Sequence, residues 1–119
     1  MKLLADIATA LVALLHVYFL VVEMFLWDKP FGRRTFRLTP EFAAASKSLA
    51  ANQGLYNGFL AAGLLWGLLL GDAGSAIKLF FLGCVVVAGV FGAATVNRKI
   101  LLVQGLPGAI ALVLVWLSA

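Results

Sequence analysis

Two ionisable side chains, His16 and Glu23, interrupt the first long apolar run of the chain, which extends over residues 7–27. About twenty apolar residues suffice to cross a hydrocarbon core of roughly 30 Å. An ionisable group inside such a segment is costly unless it faces protein or water. A carboxyl held there could act as a general acid, a general base or the counter-ion of a cationic ligand. Glu23 is therefore the first candidate functional residue.

Further polar side chains are predicted at a similar depth in the membrane. At about 1.5 Å per residue, Glu23 lies roughly 6 Å below the cytoplasmic surface, and the others lie in the first turns of two later apolar runs. These others are Asn52, Gln53, Tyr56, Asn57 and Gln104. The four on the second run form two adjacent rows, because residues four apart share a helix face. We predict a polar layer in which Glu23 and Tyr56 are catalytic candidates and the amides bind a ligand.

His16 and Arg98 complete the set of candidate ligand-binding residues. His16 is predicted near the midplane, about two helical turns from Glu23 and on the same stripe of the first helix. Arg98 lies in a connection at the end of the bundle from which it can reach Glu23. Each also has a structural interpretation: an interhelical hydrogen bond for His16, and an ion pair with Glu23 for Arg98.

Composition places the chain among membrane proteins. It is 64% hydrophobic and 12% charged, whereas about a quarter of the residues of a soluble domain are charged. Four apolar runs are each long enough to span a bilayer once. They cover residues 7–27, 49–70, 77–96 and 100–117. The fold class predicted is all-α, a polytopic membrane four-helix bundle that forms a single transmembrane domain over residues 1–119.

Local signals predict where the second helix begins and where the fourth one bends. Thr39, Pro40 and Glu41 have the order of an N-cap, a first-turn proline and an acid near the positive end of the helix dipole. The helix would then begin two turns before the membrane, and those turns would lie at the interface. Pro107 lacks an amide hydrogen, which predicts a local bend in the fourth helix beside Gln104.

The basic residues predict the orientation. Of the nine Lys and Arg residues, Lys2 and Lys78 lie on one side of a four-span arrangement. The other seven lie on the opposite side: Lys29, Arg33, Arg34, Arg37, Lys47, Arg98 and Lys99. The positive-inside rule then places both termini outside the cytoplasm, in what we expect to be a bacterial inner membrane. Basic residues that fall between apolar runs do not follow the pattern of a nucleic-acid-binding face.

Small residues predict close helix packing. Gly54, Gly58 and Ala62 recur at four-residue spacing in the second helix, and similar pairs occur in the third. Such faces let helix backbones approach each other in a membrane. They could serve contacts within the chain or a homo-oligomer.

Four segments resemble a family of small four-helix membrane proteins of bacteria and some fungi, known as a domain of unknown function. They are residues 22–27 (VEMFLW), 52–61 (NQGLYNGFLA), 87–93 (VAGVFGA) and 103–107 (VQGLP). The resemblance extends over nearly the whole chain and implies a four-helix integral membrane protein. It implies no activity, so the function must be argued from the residues.

Three functions remain open, beside the alternative that the polar residues only join helices. The first is a polar pocket near the cytoplasmic side that binds, and could transform, a small lipophilic molecule. The second is a proton-coupled exporter, because length and a first-helix glutamate are similar to the small multidrug resistance transporters. The third is an oligomeric haem or metal protein that uses His16, although one histidine and the single cysteine, Cys84, supply few ligands. The cofactor is unknown on these grounds, and membrane lipid is the expected partner.

Overall fold

The computed structural model describes all residues, Met1–Ala119, and contains five α-helices and no strand. The helices are α1 (Lys2–Val21), α2 (Pro30–Phe36), α3 (Pro40–Leu69), α4 (Ser75–Thr95) and α5 (Leu106–Ser118). A π-helical turn, Val22–Leu26, follows α1, and a second one, Leu101–Gly105, precedes α5. A 3-10 turn, Gly71–Gly74, joins α3 to α4. The all-α prediction is confirmed, and the helix count exceeds the predicted four by one.

Three segments are long and apolar enough to cross a membrane, namely Lys2–Leu26, Gly71–Thr95 and Leu101–Ser118. They coincide with the first, third and fourth predicted spans. The helix of the second predicted span, α3, is 30 residues long but is not among them. Asn52, Gln53 and Asn57 lie inside its apolar run and lower its mean hydropathy.

The predicted start of α3 is confirmed. Thr39 Oγ1 accepts a hydrogen bond of 3.2 Å from the backbone N–H of Phe42, which satisfies one of the donors left free at a helix N-terminus. Pro40 is the first residue of the helix. The connection before it contains an additional short helix, α2, which was not predicted from the sequence.

The chain divides into two compact units, which we call the core unit and the amide unit. The core unit comprises Met1–Leu14 and Leu60–Ala119, and the amide unit comprises Leu15–Phe59. The core unit buries small and branched apolar side chains, namely Ala5, Val12, Ala13, Leu64, Leu82, Val85, Ala111 and Val115. Small side chains let helix backbones approach closely, which is the usual means of association where lipid surrounds the helices.

Within the core unit, α4 packs against the second π-helical turn through glycine. A methyl group at Gly89 would lie 2.5 Å from Gly105 Cα, so the two backbones are in contact there. The N–H of Leu106 donates to the carbonyl oxygen of Leu101, which is the five-residue spacing of a π-helix. Pro107 follows in the first turn of α5. A wide helical turn thus lies immediately before the proline at which a bend was predicted.

The core unit also holds two ion pairs near one end of α4. Lys78 Nζ lies 3.3 Å from Asp6 Oδ1, and the Lys78 side chain is only 5% exposed. Lys2 pairs with Asp72. Lys78 was predicted from the sequence only as a charge outside the membrane, whereas the structure buries it between helices. A buried ammonium requires a partner, and Asp6 supplies it.

Candidate functional site

The centre of the candidate site is a hydrogen bond between Glu23 and Asn57, both in the amide unit. Asn57 Nδ2 donates to Glu23 Oε1 at 2.5 Å. Asn57 is 5% exposed and Glu23 is half-buried. The amide thus orients a carboxyl that lies inside the first candidate span. The hydrogen bond engages Oε1, one of the two carboxyl oxygens of Glu23.

Glycines on α3 make this approach possible. A methyl group at Gly54 would lie 2.6 Å from Met24 Cγ and 3.2 Å from Glu23 Cβ. One turn later, a methyl group at Gly58 would lie 2.6 Å from Leu20 Cδ1. The small-residue face predicted on the second helix therefore contacts the end of the chain's own first helix. A homo-oligomer through such faces stays a prediction.

Glu23 lies in the π-helical turn Val22–Leu26, and Gln104 lies in the second one, Leu101–Gly105. π-helical turns are rare and occur frequently at functional sites, because one wide turn redirects a side chain. The seven-residue spacing that placed Glu23 on the stripe of His16 assumed a regular helix throughout. The wide turn changes that register, and Glu23 is half-buried whereas His16 is 0% exposed. Glycine and proline near Gln104 were a signal for the second turn, whereas no residue type indicated the first.

The remaining polar candidates on α3 face outward. Asn52, Gln53 and Tyr56 are exposed, and Tyr56 retains 55% of its accessible surface. The Tyr56 ring lies 6.1 Å from the ring of Phe59, centroid to centroid. The predicted double row of polar residues is thus divided, with Asn57 turned inward to Glu23 and the other three on the surface of the unit.

His16 is completely buried, and its ring meets the ring of Phe19 edge-on at 5.3 Å. Arg98 and Gln104 belong to the core unit, where Arg98 is exposed in the turn before the second π-helical turn and Gln104 is half-buried. The ion pair between Glu23 and Arg98 stays a prediction, as does ligation by His16. No group of three or more His, Cys, Asp or Glu side chains is placed to hold a metal ion.

Beyond Glu23, two polar contacts connect the segment after α1 to the first turns of α3. Trp27 Nε1 donates to Ser46 Oγ at 2.9 Å, and Lys47 Nζ lies 3.1 Å from Asp28 Oδ2. The hydrogen bond from Lys47 holds the pKa of the Asp28 carboxyl below its ordinary value. These contacts tie the end of the first span to α3 next to the carboxyl. Neither contact was predicted from the sequence.

An open groove of about 630 Å³ lies on the surface of α4. Its lining is almost wholly apolar and contains none of the predicted site residues: Leu79, Phe80, Gly83, Cys84, Val87, Ala88 and Phe91. Cys84, the single cysteine, is half-buried there. An apolar helix face of this kind matches the acyl chains of a bilayer and offers no polar group to orient a ligand.

Comparison with known proteins identifies relatives but no activity. The model of a family described as "Protein of unknown function (DUF1304)" matches residues 10–116. The chain is 31% identical over 115 residues to the uncharacterized protein YpaA of Lactococcus lactis subsp. lactis (strain IL1403), an alignment that covers 95% of this chain and 97% of that protein. No solved structure matches the chain.

Proposed function

Because the chain belongs to the DUF1304 family of proteins of unknown function, we propose its function from its own residues: it is an integral membrane protein whose Glu23–Asn57 pair binds a small lipophilic molecule through a polar group. The observation that carries this proposal is the hydrogen bond from Asn57, which holds one carboxyl oxygen of Glu23 from a buried position. A carboxylate has more acceptor sites than the one that Asn57 uses, so Glu23 can also accept a hydrogen bond from a ligand or stand opposite a cationic group.

The residues around the carboxyl favour a ligand that is mostly apolar. The first span supplies an apolar environment, while Asn52, Gln53 and Tyr56 expose donors and acceptors on the same two turns of α3 as Asn57. A few polar groups beside apolar surface is the usual composition of a small-molecule site. A carboxyl in such a place could also exchange a proton with the ligand, so Glu23 is the residue through which a reaction would proceed. Tyr56, which is exposed on another face of α3, stays a predicted catalytic residue.

Native mass spectrometry of the protein purified with its lipids and metabolites tests this proposal. We expect a small molecule to remain on the wild type and to be lost from Glu23→Gln and Asn57→Leu. Ser48→Leu is the matched control, because Ser48 is an exposed polar residue of α3 one turn before Asn52. Retention of the same molecules by all four proteins, or by none, would refute the proposal.

We also propose that α3 crosses the membrane as a fourth span, with both termini outside the cytoplasm of a bacterial cell. Its 30 residues are long enough, and the inward-facing Asn57 has a protein partner rather than lipid. In a Cys84→Ala background, a cysteine replacing Ser118 should react with a membrane-impermeant maleimide in spheroplasts. A cysteine replacing Thr35 in α2 should react only after permeabilisation, and the opposite pattern would refute this orientation.

A proton-coupled exporter would use the same carboxyl, because Glu23 lies within the first span. A growth assay with cationic dyes distinguishes it from a binding protein. Dye resistance that depends on the expressed protein, and that is absent in Glu23→Gln, would favour export.

A further inference from the structure

Three arginines surround the end of α2, immediately beyond the first candidate span. That span ends at Leu26, α2 begins at Pro30, and the arginines are Arg33, Arg34 and Arg37. We call these three residues the arginine cluster. None of them forms an ion pair. Of the two carboxylates nearest in sequence, Asp28 is bonded to Lys47, and Glu41, in the first turn of α3, is not paired with any of the three arginines. The cluster therefore carries positive charge that has no ion-pair partner in the protein.

One atom of the cluster lacks a partner inside the protein. Arg33 Nε is buried and makes no hydrogen bond. A buried donor left without an acceptor is unfavourable, and side-on recognition of a phosphate by arginine uses Nε together with one terminal nitrogen. A phosphate oxygen at the guanidinium would satisfy the donor after a small side-chain movement.

Arg37 is held in an unusual backbone conformation. Its φ of 54° and ψ of 49° are left-handed, and it is the one non-glycine residue with positive φ. Its N–H closes α2 by donating to the carbonyl of Arg33. Glycine is the usual residue at such a position, so an arginine there holds its backbone in an unfavourable conformation. A cost of this kind often accompanies a functional role.

The helix that carries the cluster is fixed against the end of the first span. Gly32 is buried, and a methyl group there would lie 2.7 Å from the Leu26 carbonyl carbon and 2.9 Å from Trp27 Cα. The ring of Phe36 lies 5.0 Å from the ring of Trp27. Because α2 is anchored in this way, the arginines are held close to the end of an apolar span, at the level of lipid headgroups.

We propose that the arginine cluster is a binding site for the phosphates of anionic phospholipids. Charge and position favour this ligand. Cations without an ion-pair partner next to a membrane span lie among lipid headgroups, and anionic lipids supply negative charge at that level. The site is independent of the Glu23–Asn57 pair, so either proposal can fail alone.

The test titrates the purified full-length protein, in uncharged detergent, with dioleoylphosphatidylglycerol, with dioleoylphosphatidylcholine or with inorganic phosphate. Bound lipid is measured by native mass spectrometry, and the thermal midpoint is recorded with and without lipid. The variants are Arg33→Gln/Arg34→Gln/Arg37→Gln, the single Arg37→Gly, and Lys99→Gln, a matched exposed cation in another connection.

We expect the wild type to retain phosphatidylglycerol in preference to phosphatidylcholine. Each cation removed from the cluster should weaken retention about fivefold, and the triple variant on the order of a hundredfold. Arg37→Gly separates binding from folding, because glycine suits the left-handed position: its midpoint without lipid should equal or exceed that of the wild type while lipid retention falls. Lys99→Gln should bind as the wild type does.

Three results would overturn the proposal. They are equal retention of the two lipids, unchanged phosphatidylglycerol retention in a triple variant that elutes as a single helical species, and displacement of phosphatidylglycerol by millimolar inorganic phosphate. The last would identify a free-anion site instead of a lipid site.

Discussion

The hydrogen bond between Glu23 and Asn57 should be measurable as a coupling energy between the two side chains. Hydrogen bonds between membrane helices average about 0.6 kcal/mol and reach about 1.7 kcal/mol. The Asn57 donor is 5% exposed and lies 2.5 Å from its acceptor, so little solvent competes for it. We therefore expect a coupling near the upper limit, about 1.5 kcal/mol, which is roughly a tenfold change in the unfolding equilibrium.

A double-mutant cycle with Glu23→Met and Asn57→Leu isolates this energy, because both replacements keep the side-chain volume and remove the polar atoms. Unfolding free energies are measured by steric trapping in detergent micelles. The variant Glu23→Gln retains an acceptor oxygen and should keep most of the coupling.

The control cycle pairs Glu23→Met with Asn52→Leu. Asn52 is exposed, and the hydrogen bond to Glu23 comes from Asn57, so this coupling should be near zero. Equal coupling in the two cycles, or none in the first, would show that Asn57 does not hold the carboxyl.

Further predictions concern packing and charge. Gly89→Ala should unfold more easily than Gly83→Ala by about 1–3 kcal/mol, because the new methyl group meets backbone at the first position and nothing within 4 Å at the second. The helix-propensity gain is common to both and cancels. The thermal midpoint should fall in acid, below the ordinary Asp28 pKa of 3.8. The pKa of Asp28 is lower in the folded protein than in the unfolded chain. The ionised carboxyl therefore stabilises the fold above pH 3.8, and this stabilisation is lost as the pH falls through the pKa of the folded protein. In Asp28→Asn the midpoint should fall less in acid than in the wild type, and an equal fall in the two proteins would contradict this role of Asp28. In urea titrations Asp6→Leu should lower the free energy of unfolding more than Lys78→Met does. Asp6→Leu leaves an unpaired ammonium that is 5% exposed, whereas Lys78→Met leaves an unpaired carboxylate that is 38% exposed. The reverse order would show that burial of the unpaired group does not control the loss of stability.

Local chemistry was sufficient for much of the fold. The first, third and fourth apolar runs are long and apolar enough to span a membrane in the structure as well. The cap at Thr39 formed as predicted, since it needs only residues within one turn. The short helix α2 was missed because seven residues with a glycine and two cations carry little periodic signal.

The candidate site could be predicted in composition but not in arrangement. Polar residues inside an apolar run indicate that some of them must face protein, whatever the fold. Tyr56 and Asn57 are neighbours in sequence and point about 100° apart on a helix, and only the approach of the first helix at Gly54 decides that Asn57 is the one that turns inward.

The amino-acid sequence by itself determined that this is an all-helical chain with segments long and apolar enough to span a membrane, and with a carboxyl within the first of them. The tertiary structure decided the partners: Asn57 for Glu23, and Asp6, 72 positions away, for Lys78. The physical reason is that periodicity and capping act within a few residues. A partner on another helix depends on the rotation of each helix about its axis, and the π-helical turn at Val22–Leu26 changes that rotation where Glu23 lies.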